Sequence, residues 1–141
     1  MRVEIYDQLS EDAKKIRKEV FMQEQGYERE FDDTDQKASH VVLYDDIPVA
    51  TCRIFEGERK NEYILGRLAV IKPYRRQHIG SLMVNEAEKF VFERGGTSIS
   101  LLAQCRVQGF YESLGYEVTD KKEEDEGCPH VWMKKTVKRL F

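Results

Sequence analysis

The segment RRQHIG, residues 75–80, stands between an apolar run, LAVI, and a run with helical periodicity. A helix begins with backbone N–H groups that have no intrahelical acceptor, and its macrodipole places partial positive charge there. Arg75 and Arg76 add charge, and Gly80 allows a ligand to approach the backbone closely. This combination suits an anion, and a diphosphate would use several successive amides. The alternative is an ordinary strand-to-helix connection with surface arginines.

Other chemistries have less support in the sequence. RRQHIG matches neither GxGxxG nor GxxxxGK[ST]. The acidic stretch EREFDDTDQKAS, residues 28–39, lacks the central glycine and the distal glutamate of a calcium loop, so a solvated loop or short helix is predicted there. The odd number of cysteines, without CxxC spacing, supports neither disulfides nor zinc and indicates reduced thiols. We therefore expect no metal.

Composition favours a single domain over residues 1–141. The chain is 40% hydrophobic, and its formal net charge is -3, from 23 Lys+Arg against 26 Asp+Glu. That balance offers no basic field for a nucleic-acid partner. No apolar run is long enough to cross a bilayer, and the N-terminus does not read as a signal peptide. We expect a cytoplasmic protein with neither a nucleic-acid nor a membrane partner.

The elements that would position the basic segment follow from apolar spacing. Residues 3–6 alternate as a short strand. A helix with Ser10 as its N-cap should end near Gly26, and its apolar face is formed by Ala13, Ile16, Val20 and Phe21. Runs of β-forming residues then predict three neighbouring strands, over 40–44, 49–55 and 63–71, the first two joined by the turn DDIP.

The second half of the chain begins with a helix after Pro73. Its predicted apolar face consists of Ile79, Leu82, Met83, Ala87, Phe90 and Val91, and it stops at Gly95-Gly96. A strand over 98–103, a helix over 106–114, a strand over 116–119, the charged loop KKEEDEG and a strand over 130–134 follow. The ending KKTVKRL reads as a strand end and solvated tail. The order βαβββαβαββ implies an α/β fold, with a mixed sheet and helices on both faces.

A family resemblance appears when RLAV and RRQHIG are considered with a later segment, LLAQCRVQGFYESLGYEV, residues 101–118. Together they resemble the GNAT superfamily of acyl-CoA-dependent N-acetyltransferases. RRQHIG is similar to the family's (Q/R)xxGx(G/A) loop, and FYESLGY is similar to its FYxxxGF/Y element. RKEVFMQEQG and GCPHVWMKK resemble a bacterial branch. The resemblance covers most of the chain and implies an acyl-CoA N-acyltransferase fold, with about 6–7 strands and splayed central strands.

The resemblance also implies acetyl-CoA as co-substrate and assigns roles to matching positions. Backbone pairing with the pantetheine arm falls to Leu68, Ala69 and Val70. Binding of the pyrophosphate falls to Arg75, Arg76, Gln77, His78, Ile79, Gly80 and Ser81. Gln104 stands where the family often has an asparagine that contacts the cofactor. Phe110 and Tyr111 belong to the aromatic element, and Tyr111 takes the place of a frequent general acid. The thioester would enter between the strands that contain Leu68 and Leu101.

His78 departs from the pattern, because the family usually has glycine there. Histidine is among the non-glycine residues that tolerate positive φ, so the loop should still form. A protonated ring would donate a hydrogen bond to the phosphates. The alternative is a tolerated side chain that points to solvent.

The mechanism needs a neutral amine, whereas a lysine-like amine has a pKa of about 10.4. The family often has a glutamate on its fourth strand as base, but this strand reads YILGRLAV, with Gly66 and Arg67 near that location. Other candidates are Glu24, Glu28, His40 and His130. His40 begins a predicted strand and titrates in the useful range, so it is our candidate catalytic base. A structural hydrogen bond is its alternative role.

The high pKa of tyrosine limits the role of Tyr111 as a general acid. A tyrosine pKa of about 10 against a thiol pKa of about 8.5 makes complete proton transfer uphill by near 2 kcal/mol. A hydrogen bond to the developing thiolate needs no complete transfer. Packing under the adjacent strand is the alternative role for Tyr111.

The leading hypothesis is direct transfer of acetyl from acetyl-CoA to a primary amine of a small molecule or a protein. Alternatives are transfer of another acyl group and a CoA-binding sensor without turnover. The acidic loops 24–39 and 120–130 favour a cationic amine. The resemblance also leaves open that the protein forms a homodimer, since superfamily relatives are often dimers.

Overall fold

The computed structural model describes residues 1–137, so the last residues of the predicted basic tail, 138–140, lie outside the described residues. Within this range the chain forms seven strands and four α-helices in the predicted order, with α2 as a short addition. Their bounds are β1 Arg2–Tyr6, α1 Glu11–Arg17, α2 Thr34–Lys37, β2 Ser39–Asp45, β3 Ile47–Glu56, β4 Glu62–Val70, α3 Ile79–Glu93, β5 Ser98–Gln104, α4 Gln108–Ser113, β6 Glu117–Asp125 and β7 Cys128–Thr136.

The seven strands pair in the order β1-β2-β3-β4-β5-β7-β6. β1 and β2, β2 and β3, β5 and β7, and β6 and β7 are antiparallel, whereas β4 and β5 are parallel. The parallel pairs extend from Glu62↔Ser98 to Leu65↔Leu101. The predicted mixed sheet is confirmed.

Contacts along the chain define two compact units. The first comprises Met1–Phe55 and Gly66–Ala87, and the second comprises Glu56–Leu65 and Glu88–Phe141. The first unit buries apolar side chains of α1, β2, β3 and the start of α3, among them Ile16, Leu43, Ile54, Met83 and Val84. The second buries side chains of β5, β7 and the end of α3, among them Val91, Ile99, Leu101 and Met133, together with Tyr116 just before β6.

The first helix follows its predicted signals. Ser10 caps α1, and its hydroxyl oxygen accepts a hydrogen bond from the Ala13 amide at 3.2 Å. The helix continues as wider π-helical turns over Lys18–Glu24. Gly26 then takes φ +82°, which ends the helix where the sequence predicted.

Both hairpin turns are tighter than predicted. β3 already begins at Ile47, so the β2–β3 turn centres on Asp46, with φ 63°. KKEEDEG was predicted as a loop, and that prediction is wrong: β6 continues to Asp125, and Glu126 and Gly127, both at positive φ, make the turn. Because β6 is the edge strand and is exposed on both faces, its sequence lacks the apolar alternation that marks a strand.

Candidate active site

The basic loop leads from β4 into α3 in the first unit. After β4 ends at Val70, a single 3₁₀ turn over Lys72–Tyr74 precedes the loop. The Leu82 amide donates to the His78 carbonyl at 3.1 Å, which is the first bond of the helix. The N–H groups of Ile79, Gly80 and Ser81 come before that bond, and helix geometry leaves them without an intrahelical acceptor. Three successive amides therefore point out of the N-terminal end of α3.

The loop adopts the left-handed conformation at two positions. His78 has φ 60°, as the sequence predicted for a residue in place of glycine, and Arg76 has φ 65°, which was not predicted. Both side chains and that of Gln77 are exposed. A non-glycine residue in this region carries local backbone strain, which often marks functional loops. Gln77 fixes one side of the turn, since its Nε2 donates to the Pro73 carbonyl at 3.3 Å.

Arg75 is engaged within the protein, and its contact with the pyrophosphate stays a prediction. Its Nη1 and Nη2 donate to the two carboxylate oxygens of Glu24 at 2.6 and 2.7 Å, and its Nε donates to the Val70 carbonyl at 2.9 Å. These contacts tie the loop to the end of β4 and neutralise the guanidinium charge. Arg76, by contrast, forms no ion pair with any residue from 1 to 137, so its charge remains available to an anion.

The preceding strand residues are partly accessible. Ala69 is buried, and Leu68 and Val70 are half-buried. Arg67, just before them, takes φ 53°, an unusual value for a side-chain-bearing residue within a strand.

The aromatic element lies in the second unit. Tyr111 on α4 is 9% exposed and makes edge-on contacts with the rings of Phe110 and Tyr116, at centroid distances of 5.0 and 6.0 Å. Phe110 is half-buried, as is Gln104 at the end of β5. The packing contacts of Tyr111 agree with the structural alternative for this residue, and its role as an acid stays a prediction.

Two candidate bases are already engaged. Glu24 binds Arg75 through both carboxylate oxygens. His40 is 1% exposed, and its Nε2 donates to the Asp35 carbonyl at 2.9 Å. Burial lowers the pKa of His40 despite the nearby Asp35. These surroundings fit the structural alternative for His40 and give its predicted catalytic role no support.

A buried ion-pair network in the first unit was missed by the sequence analysis. Arg17 on α1 is 1% exposed; its Nε donates to Glu30 Oε2 at 2.8 Å, and its Nη1 donates to Asp35 Oδ1 at 2.7 Å. Arg53 Nη1 donates to the Oδ1 atoms of Asp35 and Asp32 at 2.9 and 2.7 Å. The short helix predicted as one alternative for the stretch 28–39 is present as α2, and the stretch is not simply solvated, because Glu30 and Asp35 are buried in it.

Arg67 completes this network, with its Nε 3.0 Å from Glu30 Oε2 and its Nη2 3.3 Å from Asp32 Oδ2. Three carboxylates thus face three guanidinium groups, those of Arg17, Arg53 and Arg67. The charges balance. These three carboxylates therefore offer no net negative charge to a cationic amine.

The spacing of residues in the first helix indicates this network in the sequence. Ala13, Ile16, Arg17 and Val20 follow helical spacing, so Arg17 lies on the buried stripe of the first helix. A buried guanidinium requires paired carboxylates. The acidic stretch 28–39 was the nearest source of them.

The carboxylates of this network respond differently to burial. Burial raises the pKa of Glu30, and the attraction of Arg67 and Arg17 only partly offsets it. At Asp35 burial also acts upward, but hydrogen bonds and charges from Arg17 and Arg53 outweigh it and lower the pKa to about 2. Asp35 therefore stabilises the fold as a carboxylate.

This pKa predicts an acid dependence of stability. With a folded pKa of about 2 against 3.8 for the ordinary group, the contribution of Asp35 is present above about pH 4 and is lost as pH falls through about 2. Asp35→Asn should lower the melting temperature at pH 6 and flatten its dependence on pH below 4. The exposed Asp33→Asn is the matched control for melts across that range. Identical profiles for the two variants would contradict the assignment.

Residues 1–137 contain neither a cluster of metal-ligand side chains nor an apolar helix of bilayer length. No group of three or more His, Cys, Asp or Glu side chains there is arranged to hold a metal ion. No helix in the same range has both the length and the apolar character needed to cross a bilayer. The three cysteines are free thiols, as predicted, and burial raises the pKa of Cys52 to about 12.

Comparison with known proteins gives one consistent family. The family model described as an acetyltransferase (GNAT) domain matches residues 6–137. The uncharacterized N-acetyltransferase YjcF of Bacillus subtilis (strain 168) is 35% identical over 130 residues, which cover 88% of this chain and 90% of YjcF.

Solved structures share the fold. Escherichia coli ElaA superposes with a TM-score of 0.82 at 23% identity, covering 95% of this chain and 98% of ElaA. An aminoglycoside 6'-N-acetyltransferase complexed with coenzyme A superposes with a TM-score of 0.75 at 19% identity, covering 99% of this chain and 98% of that one. At these identities the likeness concerns the fold.

Proposed function

The chain belongs to the GNAT acetyltransferase family, and from this premise we propose that it transfers the acetyl group of acetyl-CoA directly to a primary amine of a small molecule or a protein. One observation carries the proposal: three successive amides, of Ile79, Gly80 and Ser81, precede the first helical bond of α3. A diphosphate accepts hydrogen bonds from such a row of donors, and the helix dipole favours its charge.

We assign the pyrophosphate of CoA to this loop. His78 and Arg76, both left-handed and exposed, shape the turn that leads to the amides, and Arg76 adds an unpaired positive charge within the described chain. Arg75 acts on the loop indirectly, because its bonds to Glu24 and Val70 hold the loop against the end of β4. In this family the nucleotide that carries such a diphosphate is CoA.

The remaining roles follow the family pattern as proposals. Backbone groups of Leu68, Ala69 and Val70 pair with the pantetheine arm, and a strand N–H stabilises the oxyanion of the tetrahedral intermediate. Gln104 contacts the cofactor. Tyr111 donates a hydrogen bond to the departing thiolate.

A thiol-release assay with acetyl-CoA and primary amines tests the proposal directly. Release of free thiol from acetyl-CoA is followed across a panel of amino acids, polyamines, aminoglycosides and peptide N-termini. Acceptor-dependent release supports the proposal. Release with a longer acyl-CoA in preference to acetyl-CoA favours the other-acyl alternative, and CoA binding without release on any acceptor favours the sensor.

Tyr111→Phe is expected to lower kcat about tenfold, since a hydrogen bond worth about 1.4 kcal/mol in the transition state is lost. CoA affinity should stay within about twofold because ring packing against Phe110 and Tyr116 is retained. Tyr6→Phe serves as the control. It removes a tyrosine hydroxyl that is hydrogen-bonded to the hydroxyl of Tyr44 on β2. An unchanged kcat in Tyr111→Phe would remove this residue from the mechanism.

A further inference from the structure

His130, the third residue of β7, has one ring nitrogen fixed by a hydrogen bond. Its Nδ1 lies 2.8 Å from the carbonyl oxygen of Cys128. A carbonyl oxygen only accepts hydrogen bonds, so Nδ1 carries the hydrogen and donates it. In the neutral ring this leaves Nε2 without a proton and with its lone pair directed away from the bond to Cys128.

Nε2 of His130 is not sealed inside the protein. The residue is 7% exposed, and its hydrogen bond uses Nδ1 alone. Among the described residues, the single fully enclosed side-chain nitrogen or oxygen without a partner is Nε of Arg53. Nε2 of His130, which has no partner among residues 1–137 either, therefore keeps some access to solvent or to a ligand.

The sheet register places His130 beside a proposed cofactor residue. In the antiparallel pair of β5 and β7, Gln104 lies directly opposite His130. Directly opposed residues share one face of a sheet, with Cβ atoms about 4.5–5.5 Å apart. His130 therefore lies on the same face as Gln104, at the end of β5 from which α4 and Tyr111 follow.

The other flank of His130 is β6. There Glu123 lies directly opposite His130, while Lys122 and Glu124 are opposite its two neighbours along the strand. The Glu123 carboxylate accepts a hydrogen bond from the Trp132 indole N–H. Glu123 is thus the one charged group that the register places across from the ring within the described chain.

We propose that His130 is the general base that deprotonates the acceptor amine, an inference that rests on the acyl transfer proposed above. Nε2 takes one proton from the ammonium group, directly or through one water. The neutral amine then bonds to the thioester carbonyl carbon. As the carbon–sulfur bond breaks, the nitrogen loses its second proton to water, from which Tyr111 is later reprotonated, and the products are the neutral amide and the CoA thiolate. The thiolate takes a proton, with Tyr111 as the nearby donor, and His130 returns its own proton to solvent.

The two buried histidines differ in the feature that matters for this role. His40 binds the Asp35 carbonyl through Nε2 and is 1% exposed within the ion-pair network. His130 binds through Nδ1, and its Nε2 is not among the fully enclosed atoms without a partner. Only His130 therefore combines a fixed tautomer with an accessible lone pair.

His130→Gln tests the assignment, because glutamine retains a side-chain N–H donor but has no basic nitrogen. With the best acceptor, kcat/KM should fall at least about 100-fold at pH 7, and the acidic limb of its pH profile should disappear. CoA affinity and melting temperature should remain close to those of the wild type. Glu124→Gln, a neighbouring charge removal on β6, is the matched control and should keep the wild-type profile.

Chemical rescue separates catalysis from packing. His130→Ala should regain at least tenfold in rate when imidazole is added, whereas a purely structural role predicts no response to imidazole. If the wild type releases thiol and His130→Gln matches its rate and pH profile, the assignment to His130 is overturned while the acetyltransferase proposal stands. Absence of thiol release by the wild type with every donor and acceptor instead overturns the proposed function.

One readout does not depend on turnover. Nitrogen-15 NMR of the imidazole rings should show neutral His130 protonated at Nδ1 and unprotonated at Nε2. A proton on Nε2 in the neutral ring would overturn the assignment, whatever the donor or acceptor proves to be.

Discussion

Arg17→Met is expected to destabilise the fold by about 3–5 kcal/mol, the largest effect of any single substitution considered. The change removes a guanidinium that is 1% exposed and leaves the Glu30 and Asp35 carboxylates, both buried, without their main partner. Methionine fills much of the same volume, so the loss is electrostatic rather than a cavity. The measurement is the urea midpoint at pH 7, with the slope checked for constancy.

Arg2→Met is the matched control. Arg2 pairs with Glu4 at 3.3 Å on the surface, where such pairs contribute about 0–1 kcal/mol. A loss of less than about 1 kcal/mol in both variants would show that the network stabilises no more than a surface pair. Replacing Arg17, Arg53, Glu30 and Asp35 together by apolar residues should recover most of the loss, because no buried charge then lacks a partner and Arg67 keeps its pair with Asp32.

Ser81→Glu is expected to weaken CoA binding at least about 100-fold, or about 2.7 kcal/mol. The new carboxylate would lie in the first turn of α3, among the amides proposed for the pyrophosphate, and would repel it. The ligand-free protein should keep its melting temperature or gain slightly, because a glutamate near a helix N-terminus interacts well with the dipole. Binding is measured by calorimetric titration with CoA.

The control for this prediction is Asn85→Glu, which adds the same charge to an exposed position one turn further along α3. The dipole and the free amides are confined to the first turn, so CoA affinity should change by less than about threefold. Equal weakening in both variants would mean that overall charge, rather than the helix start, governs the affinity.

The sequence predicted those parts of the fold in which local signals agree with tertiary structure. In both long helices a capping or turn residue agrees with the helical spacing of apolar residues. As predicted, α1 is capped by Ser10, its π-helical continuation ends at Gly26, and α3 buries an apolar face. Within that face the detail differs, since Val84 is fully buried while Leu82 is half-buried. Side-chain burial depends on what covers the helix, which spacing alone does not specify.

The errors have a common physical origin. KKEEDEG forms a strand because its backbone pairs with β7, and that pairing needs no particular side chain at an edge. The ion-pair network joins Arg17, Arg53 and the acidic stretch across long sequence separations. Arg75 likewise pairs with Glu24, which lies 51 residues earlier in the sequence, in the π-helical turns that follow α1. Pairings of this kind are set by the fold, so composition and spacing did not reveal them.

At the candidate site the sequence predicted the backbone conformation of the loop at His78, whereas the roles of the acid–base residues stay predictions. His78 takes the left-handed conformation that its position required. Residue type favoured His40 as base, but the structure encloses it, whereas the ring of His130 has an accessible nitrogen. A hydrogen bond to a backbone carbonyl two residues away decides the tautomer, and no sequence pattern encodes it.

Calorimetric titration of the wild-type protein with CoA and, separately, with pantetheine tests the central claim most directly. Pantetheine has the thiol arm but lacks the pyrophosphate, so the amides of Ile79, Gly80 and Ser81 would have nothing to bind. CoA should bind at least about 100-fold more tightly than pantetheine, and Ser81→Glu should remove most of that difference. Equal affinity for the two compounds, or no binding of CoA, would contradict the account.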